Sequence, residues 1–415
     1  MSDALAVYWD DRRVGTLARN AEGTMLFCYD DLWLADPAFR PISASLPRQT
    51  GPFSRAATRP FFAGLLPDEE QRAAAARAAG VSAQNDYALL DALGGDVAGA
   101  LVIVPEGQAV PAASGTAPDP LTEAALAALL EELPRRPFLV GDEGIRMSLA
   151  GAQPKLPVVL VAGAPTLPSP GQPTTHIVKP AMSRFAHSVE TEAFAMRLAA
   201  AAGLAVAAVE PRRASAIPYL LVERYDRSDA GGTIRRIHQE DFCQALGIAP
   251  EHKYAIEGGP GFAACFDLVR RTCTAPARDI LRLLDAAIFN AVVGNADAHG
   301  KNFSLLYRDD ATVLAPLYDL MVTAHYPEVA TRFAMPIGRA NQLDGLDARA
   351  WERLATDTGL GAPFVRRRVQ ALADGIREAA PGIADALAHE GCDPDVLASL
   401  VALVGHRADA IAAAL

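Results

Sequence analysis

A chain of 415 residues, 51% hydrophobic and 21% charged, is long enough for two or three cores and has the make-up of an ordinary globular protein. Its net charge of −11 excludes a surface that binds nucleic acid throughout, and no apolar run approaches the ~20 residues of a bilayer span. The start, MSDALAVYWDDRRVG, lacks the basic and apolar stretches of a signal peptide, so a cytoplasmic location without membrane contact is expected. Cys28, Cys243, Cys265, Cys273 and Cys392 are scattered with no CxxC pair, as reduced thiols are, and the histidines lack zinc-site spacing.

Along the chain, Leu5–Trp9, Val14–Leu17 and Met25–Tyr29 are apolar runs between polar turns, the pattern of a β-meander. A helix is predicted from about Pro60 to Ala79, stopped by Gly80, and a closing strand within Gly99–Gly107. Residues 107–120, rich in Pro, Ala, Gly and Ser, read as a linker, followed by a helix over Leu121–Leu133. From about Ile145 to Val222 strands dominate. Leu156–Val161 and Thr175–Lys179 read as a hairpin with a long connection, and Tyr219–Val222 as a further strand. Between them Ser188–Ala202 is predicted helical, with Ser188 as N-cap, Glu190 and Glu192 in the first turn and Gly203 as stop. Beyond Tyr225 helices take over, broken by one hairpin at about 303–317. The expected organisation is 1–108 as an N-terminal subdomain, 109–135 as linker and bridging helix, 136–225 as a β-rich lobe and 226–415 as a helical lobe. The fold class is α+β. Arg366, Arg367 and Arg368 form either a solvated helix face or a local basic patch.

The strongest chemical signal is Asn295-Ala296-Asp297-Ala298-His299-Gly300-Lys301-Asn302, which follows the periodic helix Ile280–Val293 with Leu281, Leu284, Ile288 and Val292 on one face. Asp297 and Asn302 have the D-x-x-x-x-N spacing of a kinase catalytic loop, where the Asp accepts a hydroxyl proton and the Asn binds magnesium. A capped turn would produce the same pair by chance. The hairpin Phe303–Tyr307 and Thr312–Leu317 should, however, return Asp319 to the side of Asn302, giving two oxygen ligands suited to magnesium held with phosphate oxygens. Lys179 closes its strand where an ammonium can reach phosphates, and Glu190 or Glu192 could pair with it. Ser148-Leu149-Ala150-Gly151-Ala152-Gln153-Pro154-Lys155 has residues small enough for backbone amides to approach an anion, although it is no Walker loop. These signals fall in the chain order of a two-lobed kinase.

At these residues the chain resembles the HipA family of serine/threonine kinases. The likeness is carried by Ser148–Lys155, Thr175–Lys179, Val222-Glu223-Arg224-Tyr225-Asp226-Arg227, His238–Gln244, Lys253-Tyr254 with Gly258-Gly259-Pro260-Gly261, Asp297–Asn302 and Pro316-Leu317-Tyr318-Asp319. Val14-Gly15, Leu46-Pro47 and Phe61–Asp68 extend it through the N-terminal unit. The resemblance implies a bilobal protein-kinase-like (PI3/4-kinase-like) fold using ATP and Mg2+. It implies Asp297 as catalytic base and Asn302 with Asp319 as magnesium ligands. Ala150, Gly151, Ala152, Gln153, Lys155, Lys179, Glu192, Glu223, Tyr225, His299 and Lys301 would form the ATP site, and Ser148 would be autophosphorylated, shutting the enzyme down. Implied partners are a HipB-like helix-turn-helix antitoxin, operator DNA through that complex, and a protein substrate such as an aminoacyl-tRNA synthetase. Asn295-Ala296 replaces the His-Arg that precedes the base in eukaryotic kinases, so regulation through that arginine is not expected. Competing readings are a small-molecule kinase of the aminoglycoside-phosphotransferase type and an inactive pseudokinase corepressor.

Overall fold

The computed structural model describes residues 4–20, 22–112, 119–140 and 146–415. By internal packing they fall into two units, each treated by itself. One comprises Met1–Pro180, Arg213–Glu251 and Leu306–Arg308, the other Ala181–Arg212, His252–Leu305 and Asp309–Leu415.

The first unit begins with β1 (Ala4–Trp9), β2 (Arg12–Arg19) and β3 (Met25–Tyr29), then α1 (Asp31–Ala35), α2 (Arg55–Gly64), α3 (Glu69–Ala78), α4 (Asp86–Leu93) and β4 (Leu101–Pro105). The sheet order β3-β2-β1-β4 is the expected meander with its closing strand against β1. The single helix expected over 60–79 is two. Leu65–Asp68 interrupts it, with a fresh acidic first turn at Glu69 and Glu70. Helices α1 and α4 were not foreseen; both are short, and side chains of Asp30 and Asn85 cap their N-termini. Phe27, Phe61 and Phe62 are fully buried at the centre of the core.

Of the linker expected over 107–120, residues 113–118 lie outside the described residues, as do 141–145 at the start of the β-rich lobe. Between these segments runs α5 (Glu123–Glu132). Next come β5 (Leu156–Val161), β6 (Ala164–Thr166) and β7 (His176–Pro180), then α6 (Ser188–Ala201), β8 (Val209–Ala214) and β9 (Ile217–Glu223). The strands join in the order β6-β5-β7-β9-β8, so β5 and β7 do pair, Leu156 opposite Val178. Short strands β10 (Arg227–Asp229), β11 (Ile234–Arg236) and β12 (His238–Asp241) follow where helix was expected, ending in α7 (Phe242–Leu246).

A buried ionic cluster closes this unit. Arg224 holds Asp226 with two nitrogens (2.9 and 2.7 Å) and reaches Asp96 (3.3 Å), Thr174 Oγ1 (2.9 Å) and the Val97 carbonyl (2.9 Å). Arg227 donates to Asp96 (3.0 Å) and to the carbonyls of Thr174 and Gly99, while Arg236 adds a bond to Asp96 (3.1 Å). Burial alone would raise both carboxyls. The Arg224 and Arg227 guanidiniums overrule it and hold both below the usual carboxylate range. Gly99 donates its N–H to Asp226 (2.7 Å), and a side chain there would sit 2.8 Å from the Gln239 nitrogen.

Beside the cluster, β12 carries two buried titratable groups of opposite behaviour. Burial lifts Glu240 to about 7, against bonds from Ser43, Tyr307 and the Ala44 N–H. Burial lowers His238 to about 4; its Nε2 meets the Ile42 carbonyl at 2.8 Å.

The second unit holds α6 and α8 (Phe262–Thr272), α9 (Pro276–Val293), β13 (Ser304–Arg308), which ends in the first unit, β14 (Ala311–Leu314), β15 (Arg332–Ile337), β16 (Ala340–Gln342), α10 (Ala348–Thr358), α11 (Ala362–His389) and α12 (Pro394–Ala413). Ser188 is not the N-cap of α6. His187 occupies that position in a left-handed conformation, and the Ser188 hydroxyl accepts the Met182 N–H (2.8 Å). Leu281 is 42% exposed, whereas Leu284, Ile288 and Val292 are buried as expected. Arg366 and Arg368 pair with Glu352 and Asp285, which favours the solvated-face reading. Contrary to expectation, α12 is long and apolar enough by length and composition to cross a bilayer. Here its Leu397, Leu400, Val404 and Ile411 are buried in the fold.

Two outcomes follow for stability. Asp226→Ala leaves Arg224 and Arg227 buried beside a missing charge and should cost about 3–5 kcal/mol, read by denaturant unfolding. Protonation of Glu240 stabilises the fold at low pH and is lost as pH rises through about 7. Neutral His238 stabilises above about 6.5 and is lost as pH falls towards 4. The two oppose each other, so Glu240→Gln should make Tm fall more steeply than wild type between pH 7.5 and 5.

Candidate active site

The catalytic-loop candidate hangs from the C-terminus of α9, which is buried on nearly all sides in its second half. Gly294 ends the helix in the left-handed conformation, and Arg407 of α12 donates to the helix carbonyls of Val292 (3.2 Å) and Ala291 (2.8 Å) and to Leu343 (3.3 Å). A cation at this end also suits the helix dipole. Asn295 then folds back, donating to Asn290 Oδ1 (2.7 Å) and accepting the Asp297 N–H (3.2 Å). Thr323 receives the Ala296 N–H and donates to the Gly294 carbonyl. From Gly294 to Asn302 every residue is buried except Asp297, which is exposed. The loop is a rigid mount for one carboxylate.

Asp297 Oδ1 accepts a hydrogen bond from the Tyr254 hydroxyl (2.9 Å). A turn of 3-10 helix, Gly300–Asn302, follows, in which Asn302 Oδ1 accepts the His299 N–H (3.1 Å). His299 and Lys301 are buried in this loop. The hairpin closes through the Ala315 N–H on the Ser304 carbonyl (2.8 Å), and Leu317 pairs with Val206. Tyr318 bonds Ser304 Oγ and the Lys301 carbonyl, both at 2.7 Å. Asp319 takes a left-handed φ of 58°, and its carboxylate accepts from Asn302 Nδ2 at 3.1 Å. The two residues expected to meet at the foot of the hairpin do meet. Left-handed Asp costs roughly 1–3 kcal/mol, which the surrounding bonds offset.

The phosphate-loop candidate belongs to the first unit. Ser148 is fully buried, donating its hydroxyl to the Leu65 carbonyl (2.8 Å) and its N–H to Asp96 (3.0 Å). Ala150 and Gly151 are half-buried and Ala152 is exposed; the Asp68 N–H reaches the Gly151 carbonyl (3.1 Å). Lys155 folds across the loop onto the Ala150 carbonyl (2.6 Å), and Gln153 donates to Pro180 (3.2 Å), beside Lys179. Lys179 is buried on β7 opposite Leu220. Glu223 ends β9 exposed, and the half-buried Tyr225 donates to Gln239. In the second unit, Glu192 is 2% exposed on α6, whereas Glu190 is half-buried and 3.7 Å from His187.

Sequence reasoning missed Tyr254, Arg407 and Asp96. The first lay within a quoted motif without a role. The other two gave only a charge in an apolar stretch, which shows that it has a partner without saying which.

The α+β fold with these loops is kinase-like, and comparison with known proteins agrees. Residues 5–104 match the HipA N-terminal domain and 147–382 the HipA-like C-terminal domain. The chain belongs to the HipA family. It is 53% identical to Y4mE of Sinorhizobium fredii, over 98% of this chain and 96% of that one. It is 33% identical to the serine/threonine-protein kinase toxin HipA of Shewanella oneidensis, over 73% and 71%. A solved complex of Shewanella oneidensis HipA, HipB and operator DNA contains a chain that superposes with a TM-score of 0.83 at 28% identity, covering 99% of this chain and 96% of that one.

Arg407→Met keeps the bulk and removes the donors at the end of α9. Unsatisfied buried carbonyls should cost about 2–4 kcal/mol and lower Tm, while the distant surface change Arg366→Met should leave Tm within a degree or so.

Proposed function

We propose that the chain is an ATP- and Mg2+-dependent serine/threonine protein kinase, the toxin of a toxin–antitoxin pair. Asp297 carries the reading: it is the one exposed residue of a buried loop, with Asn302 and Asp319 in contact at the foot of the adjoining hairpin. Asp297 accepts the proton of the acceptor hydroxyl as that oxygen bonds to the γ-phosphorus and the bond to the β-phosphate oxygen breaks. Asn302 and Asp319 would hold Mg2+, which neutralises phosphate charge when bound. Two oxygen-bearing side chains fit that ion, which fills its other positions with phosphate and water.

Lys179 supplies positive charge to the phosphates and Glu192 orients it. The amides of Ala150–Gln153, with Lys155, cradle the phosphates; Glu223 and Tyr225 hold the base, and His299 and Lys301 line the catalytic-loop side. Autophosphorylation at Ser148 silences the enzyme. A dianion cannot stay where the buried hydroxyl meets Leu65, so the modified loop must leave its seat. The acceptor is a protein of translation, such as an aminoacyl-tRNA synthetase. A HipB-like antitoxin restrains the kinase and carries it to operator DNA, a reading supported by the composition of the Shewanella complex.

Incubation with Mg-ATP and peptide mass spectrometry test this. Phosphate should appear on Ser148 in wild type and be absent in Asp297→Ala, whose rate should fall ~10²–10⁴-fold. Equal phosphate in both proteins would reject the base; none in either, with ATP bound, would favour a pseudokinase. Asp319→Ala should lose activity and regain part of it at high Mg2+.

A further inference from the structure

We infer that Tyr254 is a positioning residue for Asp297, aiming the carboxylate at the acceptor hydroxyl. The inference rests on the reading of Asp297 as the base. An exposed aspartate on an otherwise buried loop turns freely about its last torsion unless something holds it. The Tyr254 hydroxyl holds Oδ1 at 2.9 Å. Because a carboxylate is planar, fixing Cβ and Oδ1 also sets the direction of Oδ2.

The tyrosine is itself well fixed. Its carbonyl accepts the N–H groups of Glu257 and Gly259, both at 2.9 Å. The turn closes so tightly that a side chain at Gly259 would lie 2.4 Å from the His252 carbonyl oxygen. This is the physical reason for the Lys253-Tyr254 and Gly258-Gly259 pairing in the sequence. The Lys253 carbonyl receives the Gly300 N–H at 3.4 Å, tying the turn to the catalytic loop. The ring is flanked by the Lys253 ammonium, 5.3 Å from its centroid, and stands edge-on to the His299 ring at 5.3 Å and 76°.

A hydrogen bond between a half-buried tyrosine and an exposed aspartate adds little to stability. Its effect is on orientation, where a small misplacement of a reacting group slows the chemical step.

The test is Tyr254→Phe, alone and combined with Asp297→Asn, assayed for Mg-ATP turnover at high enzyme concentration, with ATP affinity by calorimetry and Tm alongside. Tyr254→Phe should lower kcat about tenfold, the scale of one bond to a charged group, with KM for ATP, ATP affinity and Tm unchanged. In the Asp297→Asn background it should change nothing further, because its effect runs through the carboxylate. An unchanged kcat in Tyr254→Phe would overturn the inference. So would a loss of equal size in the Asp297→Asn background, which would place Tyr254 in some other role. Wild-type activity in Asp297→Asn alone would instead defeat the reading of Asp297 as base, and the inference with it.

Discussion

Two carboxylates shut away from water, Asp96 and Asp226, hold Arg224, Arg227 and Arg236 in a cluster whose geometry the rest of the first unit follows. Each arginine comes from the stretch after β9, and Asp96 comes from the turn between α4 and β4. Neither carboxylate could be tolerated without the guanidiniums, and no guanidinium of this burial could be tolerated without them. The cluster therefore fixes how the meander is set against the sheet that carries Lys179. It also reaches the phosphate loop, since the backbone of Asp96 accepts the Ser148 N–H while its side chain binds three arginines.

The catalytic loop is fixed by different means. Charge pairing gives way to the termination of a buried helix: left-handed Gly294, the Arg407 donors on the last carbonyls, and a chain of Asn and Thr bonds from Asn290 to Ala296. These bonds satisfy the backbone inside the fold, which leaves Asp297 as the exposed polar group. Tyr318 and the hairpin do the same for Asp319, setting it on Asn302. Orientation here is built from many single hydrogen bonds, each contributing only about 0.5–1.5 kcal/mol net because it replaces bonds to water.

Local features of this arrangement were legible in the sequence. Alternating runs gave the meander, the D-x-x-x-x-N spacing gave the loop, and the hairpin between Asn302 and Asp319 gave their meeting. The two-lobed order of motifs pointed to a kinase-like fold before any coordinates. What escaped depends on partners far away in sequence. The break between α2 and α3 is the exception: Pro67 cannot continue a helix and Asp68 stands at the N-cap of the next one, a local signal that the expectation of one helix over 60–79 passed over. The motif from Val222 to Arg227 was visible as a pattern, yet its purpose lies with Asp96, more than a hundred residues earlier. The bond from Tyr254 to Asp297 spans 43 positions and rests on a turn that only the glycine pair hints at.

The proposed kinase function calls for nucleotide-dependent protection at the loop Ala150–Lys155, at the strand of Lys179 and at the loop Asp297–Asn302. Hydrogen–deuterium exchange with and without Mg-ATP reads all three in one experiment. Slower exchange is expected in peptides covering each of them, and none of that protection should appear with Mg2+ alone. Protection confined to one segment, or its absence at saturating nucleotide, would contradict the account.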